Sequence, residues 1–247
     1  QMDGMALGVF LVGTFIGGLT SGISGFAMGV VLSGIWSHIL LPRETTTLIV
    51  FCGLLTQSYA IWKLRHALIW RNLLPFVLGG AIGVPIGALM LSYIDPVFLR
   101  TGLGALLVFY SGYSLAQPTF KPVRAGLAAD VVVGVLNGLL GGLTGLTGII
   151  VTIWCGLRGW PKDVQRTVFQ PVNLTNIVMS AVSLSLAGAV TTESVKLYFY
   201  ALPLLLTGLW SGFKLYGNLG DTAFRKIMLL LLLLSGLTLI VPKSIFR

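Results

Sequence analysis

Two clusters of glycines and small hydroxyl residues have the types and spacing to hold an anion. They are Thr20, Ser21, Gly22, Ser24 and Gly25 in the first half, and Thr144, Gly145, Thr147 and Gly148 in the second. Glycine lets a ligand approach the backbone and hydroxyls add donors, so either cluster can take an oxyanion on N–H and O–H groups without a buried cation. For any single residue, close packing of membrane helices explains a small side chain equally well. Recurrence at matching positions favours binding for the clusters jointly. A third group is an amide face: Arg166, Gln170, Asn173 and Asn176 follow i, i+4, i+7 and i+10, one side of a helix. Amides amid apolar sequence need partners, so this face points into protein or a water-filled cavity. There it would line an oxyanion path, with Arg166 attracting the anion, although a headgroup anchor is the stronger reading of Arg166 alone. Gln57, beside Thr56, stands at comparable depth in an earlier block. Asp130 is the carboxylate inside an apolar block, a candidate for proton coupling, weighed equally against a structural carboxylate paired with Arg124. Asn137 falls two turns further along the same face, and His38 reads as interfacial. Cys52 and Cys155 sit alone in apolar stretches, and no nucleophile stands beside a base. No catalytic residue, metal site, cofactor or disulfide is expected.

The elements that must position these residues are membrane helices. Of 247 residues 55% are hydrophobic and 9% charged, against roughly 25% charged in a soluble domain. Such a chain cannot cover a water-facing surface, which excludes a soluble enzyme, a nucleic-acid binder and a disordered tail together. Apolar blocks fall at 5–41, 45–62, 73–92, 97–116, 126–157, 165–188, 195–213 and 223–241. Six have the length of one span, about 20 residues. The first would make a helix roughly 55 Å long, against a hydrocarbon core of about 30 Å. It is also too long, and lacks the basic flank, for a cleaved signal peptide. It and the fifth are each broken by glycines: Gly17, Gly18, Gly22 and Gly25, then Gly138, Gly141, Gly142 and Gly145. Trp36, Trp62, Trp70, Trp160, Tyr93 and Tyr216 lie at block ends and read as the interfacial belt.

The oddities occur twice because the chain repeats. Ser21 to Phe26 aligns with Gly141 to Leu146, and Pro42-Arg43-Glu44 with Pro161-Lys162-Asp163. Leu74-Pro75 aligns with Leu202-Pro203, and Ser111-Gly112 with Ser235-Gly236. The repeats occupy 1–120 and 121–247 of one integral membrane domain. If all eight blocks span, the 16 basic residues divide eight to eight between the two sides. If the long blocks fold back as hairpins, eleven fall on one side, and Arg43, Arg100, Lys196, Lys243 and Arg247 remain on the other. Only the second arrangement gives the cytoplasmic bias expected of basic loops. The expected fold is therefore an all-α polytopic membrane protein with two inverted repeats. Each is a glycine-broken re-entrant hairpin plus three transmembrane helices, and both termini lie outside the cytoplasm. The alternative is a kinked or tilted single span in place of each hairpin.

The glycine-rich segment, the short helix, and Pro followed by a charged residue before an apolar span, all occurring twice, resemble the TauE/SafE family of sulfite and organosulfonate exporters. The likeness covers essentially the whole chain and is strongest over Gly138 to Thr147 and Gly159 to Thr167. The commoner family pattern has a Gly-Gly-Gly run followed by Pro in the hairpin. Here Ser24-Gly25-Phe26-Ala27 and Thr144-Gly145-Leu146-Thr147 stand instead. The resemblance implies secondary transport, outward as in that family, of a small sulfur-containing anion across the bacterial cytoplasmic membrane. The anion would be held where the two hairpins meet. Partners would be that anion, the bilayer and a coupling proton; a homodimer is compatible, and nucleic acid is not a partner. An anion or small-solute channel of the same architecture is the competing function, and an intramembrane enzyme is the weakest.

Overall fold

The computed structural model describes residues 4–36, 38–90, 96–116, 122–144, 148–186, 188 and 190–240. Among them there is no strand. The first half forms α1 (Gly4–Ser24), α2 (Met28–Trp36), α3 (Pro42–Leu64), a 3-10 turn (Arg65–Ala67), α4 (Trp70–Met90) and α5 (Pro96–Ala116). The second half forms α6 (Leu127–Thr144), α7 (Ile149–Leu157), α8 (Lys162–Leu186), α9 (Thr192–Asn218) and α10 (Asp221–Ile240). The order is the same in both: a long helix, a nine-residue helix, then three long helices. Among the described residues Gly4–Ser24 and Arg43–Ala67 are long and apolar enough to cross a membrane. By length alone α4, α5, α8, α9 and α10, at 20 to 27 residues, also reach about 30 Å.

Both over-long blocks fold back on themselves. In the first, the Trp36 ring stacks on Phe10 at 4.9 Å, and its indole N–H reaches the Phe10 carbonyl at 3.4 Å. A Cβ on Gly13 would stand 3.0 Å from Ile35, and one on Gly17 2.6 Å from Leu32. Contacts that descend one helix while climbing the other define an antiparallel hairpin. In the second block Asn137 bonds Gly148, while Asp130 bonds Trp154 and Arg158. The kinked-span alternative is thereby excluded for both blocks. The fold-back also removes Trp36 from the belt: it brings the end of α2 against the start of α1, so the ring meets Phe10 and is fully buried. Tyr216 is likewise buried, edge-on to Phe213, whereas Trp62 and Trp70 are exposed as expected. Tyr93 lies outside the described residues.

The chain forms two compact units, Gln1–Lys63 with Asn173–Gly220, and Leu64–Val172 with Asp221–Arg247. Sequence halves and packed units thus cut the chain differently. In the first unit α1 packs on α9, and Phe10, Leu32, Trp36, Cys52, Ala201 and Leu205 are part of its core. In the second, α6 packs on α4, and α5 on α10.

Glycines four residues apart make these pairings close. A Cβ on Gly18, Gly22, Gly208 or Gly212 would stand 2.3 to 2.6 Å from a backbone oxygen across the α1–α9 contact. Across α4–α6, Gly79, Gly83 and Gly87 would meet carbonyl oxygens of Val131, Val135 and Leu139 at 2.2 to 2.3 Å. Without a hydrophobic drive between helices in lipid, such backbone approach is what holds a pair together. The opposite face of α4 carries Leu74, Leu78, Ile82, Ile86 and Leu89, all more than 40% exposed, an apolar stripe suited to acyl chains.

Candidate functional site

In the first unit the hairpin turns at Ser24 and Gly25. The Ser24 hydroxyl is buried, donates to the Thr20 carbonyl at 2.8 Å, and accepts from the Ala27 and Phe26 N–H groups at 3.2 and 3.4 Å. It therefore caps the turn that opens α2. Gly25 takes the left-handed conformation, φ +85°, which a side chain would strain. Thr20 donates to the carbonyls of Ile16 and Gly17 at 2.9 and 3.0 Å. Ser21 is buried, and Gly22 is pressed against Leu209 and Gly212. The hydroxyls of Thr20 and Ser24 thus satisfy local backbone, each donating to a carbonyl about one turn back. Ser24→Ala is expected to lower unfolding stability by about 1 kcal/mol, read as a lower melting temperature, with Ser24→Asn recovering most of it.

Gln57 reaches this turn from α3. Its Nε2 donates to the Gly25 carbonyl at 2.7 Å, while its Oε1 has no hydrogen-bond partner among the described residues, and the side chain is 5% exposed. Neighbouring Thr56 donates to the Gly53 carbonyl at 3.2 Å.

In the second unit α7 opens at Gly148, also left-handed, φ +82°. The Gly148 N–H donates to Asn137 Oδ1 at 3.0 Å, and its carbonyl accepts from the N–H and the hydroxyl of Thr152. Asn137 is 1% exposed, and its Nδ2 donor has no partner among the described residues. Sequence reasoning noted Asn137 only as a neighbour of Asp130 on one face. The missed signal is an amide standing just before the glycine cluster at Gly138. Thr144 ends α6; its side chain, Gly145 and Thr147 lie outside the described residues.

The open end of this hairpin is fastened by Asp130. One carboxylate oxygen accepts from the Trp154 indole at 2.7 Å and the other from Arg158 at 2.8 Å. Arg158 also donates to the Ala125 carbonyl and lies 5.2 Å from the Trp160 ring. The partner is therefore Arg158, not Arg124. The antiparallel return of α7 carries Arg158 back to the start of α6, a pairing that sequence distance conceals.

On α8, Arg166 is fully buried, so it does not snorkel to headgroups. The Gln170 amide lies against the Arg166 guanidinium and, with its oxygen turned to that side, accepts from it at 2.8 and 3.3 Å. Gln170 and Asn173 are buried and Asn176 half-buried, which places the amide face inward along most of its length. His38 is exposed. A separate cleft of about 240 Å³ in the second unit is lined by Trp160, Gln165, Arg225 and Lys226 among others.

A sequence model of the sulfite exporter TauE/SafE family matches residues 9–239. Over 133 residues the chain is 32% identical to a Cupriavidus necator protein named probable sulfite/organosulfonate exporter TauE, covering 51% of each. The chain thus spans about half the length of that curated relative. No solved structure matches it.

Proposed function

This chain belongs to the sulfite exporter TauE/SafE family, a family of transporters and not of enzymes, and on that premise we propose that it carries a small sulfur-containing anion, such as sulfite or an organosulfonate, outward across the bacterial cytoplasmic membrane as a secondary transporter. The observation that carries the anion is Asn137 Nδ2, a buried donor without a partner among the described residues, held at the opening of α7 by the Asn137–Gly148 bond. The start of a helix offers N–H groups and partial positive charge, and an adjacent amide donor completes a site for an oxyanion. Thr144, Gly145, Thr147 and Gly148 belong to this tip in the proposal, and Ser24, Gly25 and Gln57 to the corresponding tip in the first unit. Arg166, held by the neutral Gln170 amide, supplies a buried positive charge along the path. Asp130 is assigned to fastening the hairpin, since both its oxygens are engaged. In this proposal the first hairpin opens away from the cytoplasm and the second toward it, so that eleven of 16 basic residues face the cytoplasm and the termini lie outside.

Binding of sulfite, sulfate and taurine to the purified full chain tests the function; a parent that binds no sulfur anion overturns it. Asn137→Asp tests the site. The substituted side chain keeps an oxygen for the Gly148 N–H and replaces the donor with a charged acceptor. Sulfite binding is expected to weaken by about tenfold or more while helix content is retained. Unchanged binding would remove Asn137 from the site.

A further inference from the structure

We infer that Gln57 determines specificity at the first hairpin, its carboxamide oxygen accepting a hydrogen bond from the substrate, so that the preferred ligand is a sulfur oxyanion bearing its own O–H donor. This rests on the anion-carrier reading above. The 2.7 Å bond from Nε2 to the Gly25 carbonyl fixes which end of the amide faces the turn backbone and leaves Oε1 as the outstanding group. A second acceptor lies in the same unit: Asn173 Oδ1, on a side chain 3% exposed, also without a partner among the described residues. α3 and α8 touch in this unit where a Cβ on Gly53 would stand 3.1 Å from Ile177. Gln57 lies one turn past Gly53 and Asn173 one turn before Ile177.

A buried acceptor left without a donor costs about 1–3 kcal/mol. Each of these acceptors calls for a donor, and Gln57 Oε1 does so beside the turn itself. A fully ionised oxyanion cannot supply one, because every oxygen it presents is itself an acceptor. A full cation is disfavoured, because the two groups are neutral amides, and burying a charge against neutral groups costs several kcal/mol. A neutral hydroxyl on an otherwise anionic ligand satisfies both conditions. Its ionised oxygens are then free for the opening of α2, which begins at this same turn. Such a site discriminates by what it leaves unsatisfied when the wrong ligand enters.

Isethionate (hydroxyethanesulfonate) and ethanesulfonate differ in one hydroxyl and form the test pair, with sulfite as reference ligand, all titrated against purified wild-type full chain. Isethionate is expected to bind about tenfold more tightly than ethanesulfonate, and Gln57→Met is expected to bring that ratio near one. Equal affinities in the wild type, or tighter binding of ethanesulfonate, overturn the inference while leaving the anion carrier standing. A ratio that survives Gln57→Met removes the role from Gln57. If sulfite binds and neither sulfonate does, sulfite affinity on either side of its second ionisation decides: tighter binding of the protonated monoanion supports the inference, and equal or tighter binding of the dianion overturns it. If no sulfur anion binds, the function itself fails, a result distinct from each of these. Should Gln57→Met fail to fold, the wild-type comparisons still decide the hydroxyl preference, and the same ratio measured in Gln57→Leu decides the role of Gln57.

Discussion

Asp130→Asn is expected to lower unfolding stability by about 3–5 kcal/mol and to reduce sharply the yield of folded protein. The carboxylate is 2% exposed and lies between the Trp154 indole and the Arg158 guanidinium. Asn can still accept from Trp154, but it must turn an NH2 group or a neutral oxygen toward Arg158, whose side chain is only 14% exposed. The positive charge then stays desolvated without its counter-ion, and that uncompensated charge, not the lost attraction, dominates the cost. Replacing both partners, Asp130→Leu with Arg158→Met, is expected to recover most of the stability, because the buried charge disappears with the pair. Melting temperatures of Asp130→Leu, Arg158→Met and the double variant, in one detergent and beside Asp130→Asn, complete the cycle. If Asp130→Asn melts like the parent but transports with a flattened pH dependence, the carboxylate is a coupling group, and its assignment as a fastening is wrong.

The hairpins were legible because length and charge leave little choice. A block from Met5 to Leu41 with only His38 to ionise is too long for one span, and basic residues distribute sensibly only if it returns. The inward amide face was legible too, since spacing alone puts Arg166, Gln170 and Asn173 on one side and apolar surroundings forbid leaving them bare. What the sequence withheld depends on which helix lies against which. Nothing near Asp130 names Arg158 over Arg124, and nothing near Trp36 says that Phe10 waits at the other end of the hairpin. At the site, glycine carried two messages at once. Gly25 and Gly148 take left-handed turns, whereas Gly22 and Gly138 lie on packed helix faces a turn or more away. The separating signal is spacing by fours, as in Gly18/Gly22, Gly208/Gly212 and Gly134/Gly138, which marks helix contacts and not a ligand cradle. Hydroxyl chemistry was hidden for a different reason. Ser24 and Thr20 look like free donors in sequence, but each has a carbonyl one turn behind it that no ligand has to supply.

That distinction predicts a large contrast between two Gly→Ala substitutions of identical chemistry. Gly83→Ala is expected to destabilise the protein by about 3 kcal/mol, the upper end of overpacking costs. Its Cβ would stand 2.2 Å from the Val135 carbonyl oxygen and 2.9 Å from the Leu139 nitrogen. Side-chain atoms could rotate away, but these are backbone atoms inside α6, so α4 and α6 must separate until the contact exceeds 3.0 Å. Separation propagates to the neighbouring close approaches at Gly79, Gly87 and Gly134, which lose dispersion contact together. Gly102→Ala, on α5, meets nothing within 4 Å and is expected to be neutral or to stabilise by about 0.5–1 kcal/mol through reduced backbone freedom in the unfolded chain. Asn137 lies two residues beyond Val135 on the displaced helix, so Gly83→Ala should also weaken sulfite binding, whereas Gly102→Ala should not. Thermal melts and sulfite titrations of the two variants check both effects. Two variants that melt alike would mean that α4 and α6 do not meet backbone to backbone, and the placement of Asn137 that depends on their contact would fall with it.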